Sequence, residues 1–185
     1  SSNYYWTYTF PTGFAFPFYG TNYSSVSVSS NGFLHFAGPD NPYGDTNSTE
    51  ELISNVRIAP LWDNMSTAST GGNIFVETMT DGATVTGVKF RWLGVVEGTS
   101  NAVNFSATLF NDGTYQFDYG TGNTGLTPTV GVSAGNGEVF TLSSYNGLSS
   151  LNSANSRLWT PQPGLNYFDA GAFEGQQEVA QGGVI

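Results

Sequence analysis

The sequence predicts an all-β protein: a two-sheet antiparallel β-sandwich of about ten or more strands, with one short helix near residues 48–55. Three observations carry this prediction. Asx-Gly pairs stand at four places between strand-like runs, and those runs alternate apolar and polar residues with period two. Aromatic residues make up 15% of a chain that is only 10% charged, so its polarity comes from Ser, Thr, Asn and Gly rather than from ions.

The first pair, Asn31-Gly32, separates YSSVSVSS from FLHFAG. Ser48-Thr49-Glu50-Glu51 then fits a capping box ahead of Leu52 and Ile53, with Asn55 placed to end one or two helical turns. Asp81-Gly82 joins NIFVETMT to a run in which Val88, Phe90 and Trp92 share a face opposite Lys89 and Arg91. Asp112-Gly113 joins the face Val103, Phe105, Ala107 and Leu109 to the face Tyr115, Phe117 and Tyr119. Asn136-Gly137 separates PTVGVSAG from EVFTLSS. In a two-residue type I′ turn both central residues take positive φ, which Asn, Asp and Gly tolerate best, so these four pairs predict such turns. Residues 146–155 read as loop, and no repeat of the solenoid kind is present. The chain divides into a domain over residues 1–166 and a C-terminal tail, 167–185, which would add a strand to its own sheet or to a neighbouring copy.

Composition excludes several functions. Fourteen acidic against four basic residues, a net charge of −10, remove the footprint that nucleic-acid binding needs and oppose anionic membranes. No run approaches the length of a membrane span, so no membrane insertion is expected. The absence of Cys excludes disulfides, thiol catalysis and thiolate metal sites. The start, SSNYYWTYTF, has neither a basic nor an apolar leader region, consistent with a secreted chain whose signal peptide has been removed.

Two strings imitate catalytic motifs. Gly131-Val132-Ser133-Ala134-Gly135 matches G-x-S-x-G, but a strand follows where a nucleophile elbow needs a helix, and the single His35 lies upstream. Gly120 to Gly125 match G-x-G-x-x-G, again with no helix to receive a pyrophosphate. His35, in FLHF, reads as a strand residue with one satisfied nitrogen. Oxygen ligands crowd one loop, GPDNPYGDTNSTEE, and the ligand set for a structural calcium would be Asp40, Asp45, Asn47, Glu50 and Asp63; the other reading gives them loop and cap duties. Tyr4, Tyr5, Trp6 and Tyr8 are either sandwich core or a sugar-stacking surface. Asn22, Asn47, Asn64 and Asn104 head N-x-S/T sequons, which count only in a eukaryotic secretory context.

The run Phe16–Phe36, FPFYGTNYSSVSVSSNGFLHF, resembles the opening hairpin of nidogen-like extracellular domains found in bacterial surface proteins. Arg57–Asn64 is similar to that family's I-A-P-x-W-x-D segment, Gly71–Phe75 to its G-G-x-I-Y strand, and Asn104–Phe117 to its N-F-Q…DGT…F hairpin. The run Asp169–Glu174 resembles a tail segment of large planctomycete surface proteins. The resemblance implies an extracellular β-rich module of adhesive or architectural type, non-enzymatic, with no catalytic residues to carry over. Asn64 stands where the second acid of a common W-D-D pattern would be.

Two functions therefore stand as expectations. One is a structural or adhesive surface module that associates with other copies of itself, or with other surface proteins, by terminal strand addition; the alternative is a lectin-like domain that binds glycans. Edge strands are usually guarded by Lys, yet the only Lys is Lys89, within a strand. Both termini read as spare strands, so self-association is assigned to Tyr4, Tyr5, Trp6, Tyr8 and Phe10 at one end and to Val179, Val184 and Ile185 at the other.

Overall fold

A computed structural model describes residues 3–44, 46–68, 71–161, 167–171 and 177–178. In chain order the elements are β1 (Tyr5–Thr9), β2 (Phe16–Phe18), β3 (Thr21–Tyr23), β4 (Ser25–Ser29), β5 (Phe33–Ala37), α1 (Thr49–Ile53), β6 (Val56–Trp62), β7 (Met65–Ser66) and β8 (Asn73–Asp81). There follow β9 (Thr84–Val96), β10 (Ala102–Phe110), β11 (Tyr115–Tyr119), β12 (Thr129–Ala134), β13 (Phe140–Leu142), β14 (Arg157–Pro161), β15 (Tyr167–Gly171) and β16 (Gln177–Glu178). Of the described residues 53% are strand and 3% helix, an all-β fold as the alternation predicts.

One sheet has the order β1-β4-β5-β6-β12-β13; the other has β16-β15-β14-β11-β10-β9-β7, with β8 also paired to β9; β2 and β3 form a separate ribbon. The core lies between the two large sheets. Each face predicted by alternation on β9, β10 and β11 is buried, and Trp92 stacks on Phe105 with ring centroids 5.1 Å apart. Two polar links cross this core: Trp92 Nε1 donates to the Ser29 carbonyl (2.8 Å) and the Tyr119 hydroxyl to the Pro60 carbonyl (2.7 Å). They satisfy groups that burial would otherwise leave costly. Pro60 lies inside the central strand β6, opposite the register shift between Thr129 and Gly131, the kind of irregularity at which a strand accommodates proline.

The hairpin turns differ from the prediction. None of Asn31, Asp81, Asp112 or Asn136 has positive φ; in each pair only the glycine does. The loops are also not all of two residues. Phe33 pairs with Ser29 across three residues, and Thr114 with Phe110 across three, whereas Asp81 pairs directly with Thr84 and leaves Gly82 first in a two-residue loop. Loops of three residues need a left-handed conformation only at their last position, so one glycine suffices. At the tail, β15 lies antiparallel on β14, and β16 on β15.

Helix α1 forms where the Ser-x-x-Glu pattern places it. Ser48 Oγ accepts from the Glu51 N–H (3.1 Å). The Glu51 side chain, however, meets the Asp40 carboxyl, and this departs from the predicted reciprocal box. The helix sets Leu52 on the outer face of the six-stranded sheet, in a second small core with Phe33, Ala59 and Trp62.

Candidate functional site

Two features of the six-stranded sheet stand out: its first edge, and a polar cleft on its outer face. The edge is β1. Ser30 donates to the Tyr4 carbonyl and Phe10 to the Ser24 carbonyl (2.9 Å each), and the register runs unbroken from Tyr5↔Ser29 to Thr9↔Ser25. Antiparallel pairing alternates, so residues 4, 6, 8 and 10 bond inward to β4 while the N–H and C=O groups of Tyr5, Thr7 and Thr9 point away from the sheet. The side chains of those three residues are exposed as well, and positions 3–10 carry no charge and no proline.

The cleft, of about 320 Å³, is lined by Asp40, Asn41, Gly44, Thr46, Glu51 and Arg57. Arg57 comes from the start of β6, its second residue, where alternation turns it to the outer face beside Ala59; it is 1% exposed. Its guanidinium lies over the rings of Phe33 (4.5 Å to the centroid) and Trp62 (5.0 Å). Nε donates to His35 Nδ1 (3.1 Å), Nη2 donates to the Asn41 carbonyl (3.1 Å), and Nη1 has no hydrogen-bond partner among the described residues. Burial is the main cause lowering the Arg57 pKa to about 10, opposed by Glu51 and Asp40. Burial first, and then the guanidinium, lower the His35 pKa to about 4, so at neutral pH its Nδ1 is free to accept.

The rim of the cleft is carboxylic. Asp40 accepts from Asn55 Nδ2 (2.9 Å), its own N–H donates to Asn55 Oδ1 (3.2 Å), and it shares a side-chain hydrogen bond with Glu51. The bonds from Asn55 and Glu51 hold Asp40 below the usual carboxylate range, and its partner Glu51 is raised by the same contact. Gly44 adopts φ +54° beneath this rim, and a Cβ there would overlap the Phe33 ring; its carbonyl accepts from Trp62 Nε1 (2.9 Å).

The family model described as NIDO related matches residues 3–167, most of the chain and all of the elements just described up to β14. The chain belongs to the NIDO-related family. No curated protein and no solved structure matches it. Membership in the nidogen-related family points to an extracellular module of structural or adhesive type, in a family that is generally non-enzymatic. Among the described residues no helix is long and apolar enough to cross a membrane.

Within this NIDO-related fold three of the residues assigned to calcium, Asp63, Asn47 and Asp40, bond to different partners. Asp63, 4% exposed, accepts from the backbone N–H groups of Thr127 (2.7 Å) and Asn64 (2.8 Å) and so pins the β11–β12 connection. Asn47 spends its amide on the Thr127 carbonyl (2.7 Å) and Thr129 Oγ1 (3.1 Å). Asp40 joins Glu51 and Asn55, and Glu50 is exposed in the first turn of α1. Asp45 lies outside the described residues, as do Val179, Val184 and Ile185. Of the N-terminal aromatics, Trp6, Tyr8 and Phe10 pack on the core, with Tyr8 edge-on to Phe90 at 5.4 Å. Tyr5 is 38% exposed and meets Tyr43 edge-on at 5.0 Å, and the Tyr4 hydroxyl bonds to Thr67 Oγ1.

The two catalytic look-alikes are structural. Ser133 Oγ donates to the Ile53 carbonyl and accepts from the Gly135 N–H within a strand. Asn123, fully buried at φ +53°, uses its amide to hold Asn104 and Gly120. Sequence reasoning gave Glu51 a helix-cap role and passed over Arg57. The available signal was a charged residue inside VRIAPLW, a strand otherwise without a polar side chain.

Proposed function

We propose that this domain is an extracellular structural and adhesive module that joins to a second copy by strand addition at β1, the donor being the apolar 179–185 segment of that copy. The carrying observation is the set of outward N–H and C=O groups at Tyr5, Thr7 and Thr9 on an uncharged edge. Main-chain bonds of this kind supply affinity in β-augmentation, and the exposed Tyr5 ring supplies side-chain contact. Edges left bare are ordinarily guarded by Lys, Pro or bulges; this one has none of them. Because donor and acceptor are different surfaces, the contact is head-to-tail and propagates into a fibre unless a ring closes.

Light scattering coupled to size exclusion tests the reading. The 185-residue chain should form concentration-dependent oligomers. Thr7→Pro removes an outward N–H without touching a bond to β4 and should yield monomers, as should deletion of residues 179–185, which leaves β16 in place. A chain that is monomeric throughout the accessible concentration range would sink the proposal.

A further inference from the structure

We propose that the cleft above Arg57 binds a saccharide, a neutral ring rich in hydroxyl groups. The inference does not rest on strand addition. Asp40 and Glu51 on the rim are acceptors, Arg57 on the floor is a donor, and Asn41 and Thr46 add mixed polar groups, so the lining presents both hydrogen-bonding roles. A small anion would bring its charge against two carboxyls, and a small cation would be set over a guanidinium. A vicinal diol meets neither conflict, since each hydroxyl both donates and accepts.

Arg57 supplies the independent observation. The Phe33 and Trp62 rings cover a flat face of its guanidinium, and His35 and Asn41 take two of its nitrogens. Nη1 remains, buried and without a partner among the described residues, on a residue that lines the cleft. Buried donors of this kind are costly unless something accepts from them. The contact between the Asp40 and Glu51 side chains argues for binding rather than hydrolysis, because glycosidase carboxyls stand roughly 5–9.5 Å apart.

The test uses the full chain and a panel of glucose, galactose, mannose and N-acetylglucosamine with their soluble oligomers, read by saturation-transfer NMR and titration calorimetry. Inorganic phosphate and spermidine serve as anionic and cationic probes. At least one neutral saccharide should bind, and Glu51→Gln and Thr46→Ala, both at residues of the lining, should each weaken it by about tenfold or more while the fold, read by near-ultraviolet circular dichroism, is kept. Thr7→Pro should leave that affinity unchanged, which separates a failure here from a failure of strand addition. The proposal is overturned if no saccharide binds at tens of millimolar, if phosphate or spermidine binds the cleft instead, or if both variants bind as the parent does.

Discussion

Arg57 Nε donates to His35 Nδ1 at 3.1 Å, placing a guanidinium and an imidazole in contact on the buried outer face of the six-stranded sheet. The pair works only while the imidazole is neutral. Arg57 needs the acceptor and cannot itself lose its proton near neutrality.

Acid should therefore weaken the fold through this pair. His35 titrates at about 4 in the folded chain against 6.5 for a free imidazole, so between those values the unfolded state binds more protons. Stability is fully present above about pH 6.5 and declines as the pH falls toward 4, by on the order of 2 kcal/mol after allowing for partial solvent screening. His35→Gln keeps an acceptor for Arg57 and cannot titrate. Urea melts of parent and variant across this window should diverge as the pH falls; parallel curves would refute the assignment.

On β1, proline should separate the two edges of a single strand. Trp6→Pro removes an inward N–H that bonds β4 and a ring packed on the core, and should cost about 3 kcal/mol or more. Thr7→Pro, whose N–H faces outward, should cost less than about 1 kcal/mol. Thermal melts of the two variants compare them directly.

Gly32 should tolerate no side chain. It holds φ +85°, and a Cβ would overlap the Leu61 carbonyl and the Met65 side chain and stand 2.9 Å from the Phe105 ring. Gly32→Ala should lose about 3 kcal/mol or more, whereas Gly137→Ala, with φ +76° but open space around it, should lose only about 1. Equal losses would show that backbone strain, rather than packing, governs this turn.

Asp63→Ala leaves the N–H groups of Thr127 and Asn64 without their acceptor and should cost about 2–3 kcal/mol. If its role is to pin the backbone, that loss will be the same in calcium and in a chelator. A loss that disappears in chelator would restore Asp63 to the calcium set proposed with Asp40, Asp45, Asn47 and Glu50.

The sequence by itself determined the all-β class, the inward faces of β9, β10 and β11, the position of α1 and the family. All of these follow from local periodicity, turn residues and motif order, which the chain carries within a few residues of each site. Tertiary structure decided what those elements meet. Asn31-Gly32 reads as a surface hairpin turn, yet both residues are buried: Asn31 donates to the Tyr43 carbonyl (2.8 Å) and accepts from the Met65 N–H (3.1 Å). Glu51 reads as half of a capping box, and its carboxyl crosses to Asp40. Arg57 and His35 lie 22 positions apart and become partners only because β5 and β6 pair in the register His35↔Arg57. A periodic pattern says which way a side chain turns from its own strand. Which residue waits there depends on the pairing of distant strands, and a single strand's pattern does not contain that.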